Sequence, residues 1–462
     1  MKVRKYGIIL AFTLLAYVLF ACSGSKDDNA DSLSDNDADR VSVSNDAINT
    51  DATIIFSRAG FEKDGSKRIL IEGALQEGRF KVIDAGTDKT VYKGDIVYKE
   101  EDLSKDEAVG YCDITKVDDE GIYYVKTETG IKSEEFAIGR DIYRDILARR
   151  ISRFGEQDAD DINIDADSLT DSYLRITDRL LAQEFFPESI DKKTWDDPMV
   201  IPRTVLLARS EIEILKDLAD KKGSLKPDLN AGMGESYQYS AVMAMFSYVY
   251  EKYDKKSAGE CRDLAVKVYE DAQKTYSDSS YMDKKETDDK RFWAAAQLYK
   301  LTGDKEYKLI AEGYADDPPK GFKKDRCGYL GTVAYLTCYN RIDLDVGELL
   351  ITALMNDIND VVRESFKEDY YVAADQDNED PDIEDLLEKA RLAVLGNYIS
   401  KNIKYVEAGE NHLAFLYGRN KLGKDYAFKE GSQAYYQPME FILAGLIDSY
   451  IYEDKEPKAM ER

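Results

Sequence analysis

The chain is 462 residues long, room for two domains with separate cores, and 43% of it is hydrophobic, enough to fill them. Acidic residues outnumber basic ones 91 to 64, a net charge of -27, and no basic cluster interrupts the excess; nucleic acid and anionic membrane surfaces are excluded as partners, and a neutral polymer such as a polysaccharide fits. The single histidine, His412, removes most zinc constellations and reads as a packed residue beside a helical apolar run.

Residues 1–21 begin with Lys2, Arg4 and Lys5 and continue as an apolar run from Tyr6 to Phe20, the pattern of an export signal. The run closes on Leu19-Phe20-Ala21-Cys22, which resembles a bacterial lipobox, in which the cysteine becomes lipid-modified and N-terminal. Residues 22–50 are mostly Ser, Asp, Asn and Ala, too polar to offset the entropy of ordering, and read as a solvated tether. The expected location is the bacterial cell surface, on the extracellular side of a membrane that holds the lipid on Cys22.

Between residues 51 and 139 the apolar pattern has period two, as in Thr53-Ile-Ile-Phe56, Arg68-Ile-Leu-Ile71, Phe80-Lys-Val-Ile83 and Gly121-Ile-Tyr-Tyr-Val125. Six or seven short strands separated by Gly, Asp and Glu clusters predict a small β-sandwich. From residue 140 to 455 the period becomes helical. The spacing predicts helices at 141–152, 168–185, 203–221, 236–253, 257–275, 289–302, 304–313, 327–340, 345–367, 383–403, 408–417 and 437–452. Such a series, joined by Gly, Pro and Asp-rich turns, suits six hairpins closed into an (α/α)6 barrel.

Of the cysteines past Cys22, none has metal-ligand spacing. Cys327 and Cys338 fall on or near one helix, about 16 Å apart if it is continuous and too far to bridge. Buried free thiols are expected there and at Cys112 and Cys261.

The run Asp289-Lys-Arg-Phe-Trp-Ala-Ala-Ala-Gln-Leu-Tyr-Lys-Leu-Thr-Gly-Asp-Lys-Glu-Tyr307 combines a helix, a glycine stop and a second helix start. It resembles a helix pair in the barrel of family 9 glycoside hydrolases, the cellulase-like inverting enzymes. Gln238–Asp254 with Ala258–Ala265 is similar to another pair, and Leu416-Tyr-Gly-Arg-Asn-Lys-Leu-Gly423 to the segment before the last active-site loops. Gly60-Phe61, Lys67-Arg68, Phe80–Ala85, Val91–Gly94, Gly121–Val125 and Phe136–Ile138 are similar to the immunoglobulin-like module that precedes many such barrels, with Ser57-Arg58 replacing the usual Asn-Gln.

The resemblance implies a pair of carboxyl groups for inverting hydrolysis, one activating water and one protonating the leaving oxygen. Glu440, in Tyr435-Tyr-Gln-Pro-Met-Glu-Phe-Ile-Leu443, occupies the place of the family's acid; Met439 replaces an Asn, and that apolar neighbour would raise the carboxyl's proton affinity, as a general acid requires. Two alignments compete for the base: Asp158-Ala-Asp-Asp161 has the family's spacing, with Asp158 and Asp161 at its ends, while counting back from Phe186-Pro187 lands at Asp165-Ala-Asp167.

The family's sugar-binding His pair and Arg have no counterpart between Gly423 and Glu440. Trp293 fits a helix core, so Trp195 is the conspicuous sugar platform, with Tyr435 and Tyr436, and also Tyr370 and Tyr371, as further candidates among 33 tyrosines. The implied chemistry requires no cofactor. Calcium stays open by resemblance, without an EF-hand or other defined loop. The expected function is hydrolysis of β-glucan or oligosaccharides; the alternative is a carbohydrate-binding or scaffold lipoprotein that has lost catalysis.

Cys22→Ser should release the mature protein from membranes. Detergent-phase partitioning checks this; partitioning that the substitution leaves unchanged overturns the lipid anchor.

Overall fold

A computed structural model describes residues 52–73, 78–98, 108–156, 166–190, 200–226, 229, 231–315, 326–374, 381–428, 434 and 437–451. The segments expected to form an export signal and a tether, residues 1–21 and 22–50 with Cys22, lie outside them. Among the described residues no helix is long and apolar enough to cross a membrane.

Eight strands come first: β1 (Thr53–Ile55), β2 (Phe61–Glu62), β3 (Arg68–Glu72), β4 (Arg79–Asp84), β5 (Thr90–Tyr98), β6 (Val109–Asp113), β7 (Gly121–Thr127) and β8 (Phe136–Gly139). They run in the order β1-β3-β6-β5-β4-β7-β8-β2, antiparallel except for the β2–β8 pair. The count exceeds the six or seven expected because β2 is a two-residue pairing, too short for a period to show. Strand β5 joins the two halves: Thr90–Asp95 pairs with β4 and Ile96–Tyr98 with β6. Folding over at β5 encloses Phe61, Ile69, Ile71, Phe80, Val82, Ile96, Cys112, Tyr123, Val125 and Phe136. Phe136 meets Phe61 edge-on at 5.4 Å.

Ile69, Leu70 and Ile71 are all fully buried, so both faces of β3 are covered. Ile69 and Ile71 face the sandwich core. Arg68, on β3, pairs with Glu407 at 3.3 Å and lies over the ring of Tyr371 at 5.2 Å, which brings this strand onto later parts of the chain.

The helices are α1 (Ile142–Glu156), α2 (Ala166–Phe185), α3 (Pro187–Ile190), α4 (Arg203–Lys216), α5 (Met233–Tyr250), α6 (Lys255–Asp278), α7 (Tyr281–Thr302), α8 (Lys305–Ala315), α9 (Arg326–Leu336), α10 (Leu344–Lys367), α11 (Ile383–Ser400), α12 (Ile403–Leu416) and α13 (Glu440–Ile451). Helix α7 starts eight residues before the apolar pattern does, because Ser280 and Asp283 form a capping box that initiates a polar first turn. Helix α5 is buried on nearly every side, against α6, α7 and α2. Trp293 of α7 is buried as the core pattern implied.

Much of the tyrosine serves as core. Tyr239, Tyr299 and Tyr335 bury their rings and place their hydroxyls on Leu215 O at 2.9 Å, Arg341 O at 2.6 Å and Glu312 at 2.8 Å, which satisfies the polar tip where water is excluded. Cys112, Cys261, Cys327 and Cys338 are free thiols. Helix α9 ends at Leu336, so Cys338 sits just beyond it and is half-buried, not enclosed as expected.

The described chain forms two compact units. One combines Arg149–Asn359 with Pro438–Phe441; the other combines the chain up to Ala148 with Asp360–Gln437 and the residues from Ile442. The sandwich and the helices after Asp360 therefore share a unit.

The α7–α8 turn depends on Gly303, left-handed at φ 74, whose N–H donates to Tyr299 O at 2.8 Å. A Cβ there would also meet Asn340 Oδ1 at 3.0 Å. Gly303→Ala should cost about 1–2 kcal/mol, read from the chemical denaturation midpoint; Gly303→Asn should cost less.

Candidate active site

Helix α2 presents Ser172, Arg175, Asp178 and Arg179 on one face, at the spacing that aligns side chains along a helix. Helix α4 runs beside it and carries Glu211 among Val205, Ala208, Ile212 and Leu215, all buried. An acidic residue in an apolar stripe needs a partner, and Glu211 has two. Arg179 Nη1 donates to its Oε1 at 2.6 Å and Arg175 Nη2 pairs with its Oε2 at 3.0 Å. Arg175 also donates to Ser172 Oγ at 2.8 Å, which fixes the guanidinium.

The opposite edge of Arg179 faces Glu440, with Nε 3.6 Å from Oε1, an ion-pair distance and not a hydrogen bond. Glu440 opens α13 and is 1% exposed. Its Oε2 accepts the N–H of Met439 at 3.0 Å, while Oε1 is buried without a hydrogen bond. Asp178 Oδ2 accepts the N–H of Phe441 at 2.9 Å, so α2 caps α13 from outside. Phe185, Phe186 and Phe441 close the apolar side, with ring centroids 6.2 and 5.3 Å from Phe441.

Burial pushes the Glu440 carboxyl up, but the Arg179 and Arg150 charges and the amides at the helix start outweigh it, and the net result lies below the ordinary 4.5. This corrects the expectation of a raised carboxyl. Met439 removes one polar neighbour, as the sequence shows, but the arginines come from α1 and α2, 290 and 261 residues earlier, and no local pattern could reveal them.

The other expected site residues divide as follows. Asp158, Asp161, Asp165, Trp195, Tyr435 and Tyr436 lie outside the described residues. Tyr370 and Tyr371 are buried, with Tyr371 packed at Arg68, and offer no open sugar face. His412 is a core residue: Nδ1 donates to Ala408 O at 2.7 Å and Nε2 accepts from Ala373 N at 3.3 Å. Burial lowers its pKa to about 4 and keeps it neutral. Arg419, in the Leu416–Gly423 segment, donates to Asn411 Oδ1 at 2.7 Å and is buried in the fold. Among the described residues no group of three or more His, Cys, Asp or Glu side chains could hold a metal ion.

Sequence reading missed Asp178, Arg179, Glu211, Arg175 and Arg150. Glu211 was the recoverable one, a charge at an apolar helix position. Glu211→Ala should strip the counter-charge from Arg179 and Arg175 and lower stability by about 3–5 kcal/mol in denaturant titration, the cost of leaving a buried ion unpaired.

Comparison with known proteins follows the same lines. Residues 188–445, more than half the chain, match the sequence model described as Glycosyl hydrolase family 9, and residues 49–131 match that of a Cellulase N-terminal ig-like domain. No curated protein matches the chain. Among solved structures, a metagenome-derived glycoside hydrolase family 9 endoglucanase aligns at TM-score 0.68 and 18% identity, covering 82% of this chain and 86% of its own. A Bacteroides ovatus GH9 protein aligns at 0.67 and 14%, covering 86% and 98%. AaCel9A in complex with cellobiose-like isofagomine aligns at 0.67 and 16%, covering 86% and 100%. At these identities the likeness is one of fold: an immunoglobulin-like β-sandwich followed by a helical domain of the (α/α)6 type.

Proposed function

The chain belongs to glycosyl hydrolase family 9, and from that premise we propose that it hydrolyses β-glucan or oligosaccharide chains with inversion, anchored at the bacterial cell surface through lipid on Cys22. The observation that carries this is Glu440: a buried carboxyl at the start of the last helix, inside the matched region, with one oxygen free of hydrogen bonds. The endoglucanases among the similar structures, and the cellobiose-like ligand in one of them, support a β-glucan substrate.

In this reading Glu440 protonates the leaving oxygen, and an aspartate from the Asp158, Asp161 and Asp165 group activates the attacking water, the second carboxyl that inverting hydrolysis requires. Trp195, Tyr435 and Tyr436 are the aromatic residues assigned to sugar contact. Arg179 sets the condition under which the acid works. Because the Glu440 carboxyl is held below 4.5, the residue carries a proton only under acidic conditions, and the rate rises as pH falls through that range.

The same ion pair favours a second reading, in which hydrolysis is lost and the protein binds carbohydrate as a surface scaffold. An ionised Glu440 locked beside Arg179 donates no proton near neutrality.

One experiment separates the two: the secreted chain is incubated with mixed-linkage β-glucan and cello-oligosaccharides from about pH 3 to about pH 7, and reducing ends are counted. The hydrolase reading expects cleavage that grows toward acid, and Glu440→Gln should lower turnover by about 10²–10⁴-fold, less for aryl glycosides, which need less protonation. No cleavage at any pH with oligosaccharide binding retained establishes the scaffold. Activity that Glu440→Gln leaves intact removes Glu440 from the chemistry.

A further inference from the structure

A second buried carboxylate centre lies away from Glu440. Glu62, at the end of β2, and Glu410, in the middle of α12, are both buried and both engage Tyr143 of α1. The Tyr143 N–H donates to Glu62 Oε1 at 3.0 Å and its hydroxyl donates to Glu410 Oε1 at 3.1 Å. The Tyr450 hydroxyl of α13 donates to the same Glu410 oxygen. Lys67 is fully buried nearby, yet its ammonium donates to Gly65 O at 3.0 Å and Thr115 O at 3.2 Å, carbonyl oxygens of the sandwich.

Packing at this point leaves no slack. A Cβ on Gly65 would come within 2.7 Å of Tyr450 Oη and 3.1 Å of Glu410 Oε1, so the β2–β3 turn is pressed directly onto α12 and α13. The turn is pinned further by Lys63 N donating to Gly139 O at 2.8 Å.

We propose that Glu62 and Glu410, joined through Tyr143, form a proton-operated latch that holds the β2–β3 turn of the sandwich on α12 and α13. The latch is closed while the pair keeps its protons and loosens when both carboxyls ionise, releasing the protons to water. Two carboxylates sharing one tyrosine in a dry site repel each other, and among the described residues neither has a guanidinium in hydrogen-bond reach as Glu211 does.

The charged and titratable groups around the pair are Lys67 from the sandwich, Asp141 and Tyr143 at α1, Glu407 on α12, Arg419 beyond it and Tyr450 on α13. Arg419 is committed to Asn411, and Glu407 to Arg68. Burial dominates what remains: it raises Glu62 to about 8 and Glu410 to about 7. A carboxyl raised on folding contributes its full stability below the unfolded value of 4.5 and loses it as pH climbs through the folded value, so the latch weakens between 4.5 and about 8.

The latch does not depend on whether Glu440 is catalytic. Amide hydrogen exchange on the whole secreted chain tests it, with rates corrected for the intrinsic pH dependence. From about pH 5 to about pH 9, protection at Lys63, Gly65 and Tyr143 should fall at least about tenfold, the effect of one pH unit of linkage. Glu62→Gln with Glu410→Gln should keep these amides protected at both ends of the range. Tyr450→Phe, which removes a donor that favours ionised Glu410, should move the loosening to higher pH and serves if the double variant fails to fold. Equal protection in the native protein across this range, or the same fall in the double variant, overturns the latch.

Discussion

A carboxylate taken out of water must be matched by positive charge or keep its proton, and this chain meets that constraint in two opposite ways. At the start of α13 the match is electrostatic: Arg179 and Arg150 hold Glu440 ionised, while Glu211 holds Arg179 in place. At Glu62 and Glu410 the neighbours are tyrosine hydroxyls and a backbone amide, and burial wins. The difference lies in which side chains the surrounding elements deliver, since both centres are buried.

The first arrangement bears directly on the family's chemistry. A general acid has to hold a proton when substrate arrives, and an arginine beside it works against that. Arg179 is not a stray surface cation: Glu211, Arg175 and Ser172 orient it, and Asp178 on the adjacent position caps the helix that carries Glu440. Packing has therefore fixed the electrostatics of Glu440 together with its position.

The segment Leu416–Gly423 shows how a family-like motif can be structural. Its Asn420 donates to Phe415 O at 2.8 Å and Lys424 O at 2.7 Å and so closes the turn on itself. Arg58, where the family has a glutamine, donates its backbone N–H to Tyr417 O at 2.7 Å and its guanidinium to Gly423 O at 3.1 Å. The departure at Ser57-Arg58 is thus accommodated by a long cation reaching the Gly423 carbonyl of that turn.

The sequence by itself determined the sandwich and the helical series, because period two and period 3.6 are local properties of side-chain placement along a strand or a helix. The C-terminal end of α7 at Thr302 and the burial of Trp293 could likewise be read from the residues around each, whereas the start of α7 lies eight residues ahead of the apolar pattern. It also placed Glu440 at the head of the last helix. Its protonation was beyond sequence, since Arg150, Arg179 and Glu440 are far apart in the chain and adjacent only after α1, α2 and α13 pack. The pairing of Glu62 with Glu410 across Tyr143 was equally hidden. Charge interactions act through space and are set by burial, so tertiary structure alone decided which carboxyls in this acidic chain are ionised and which keep a proton.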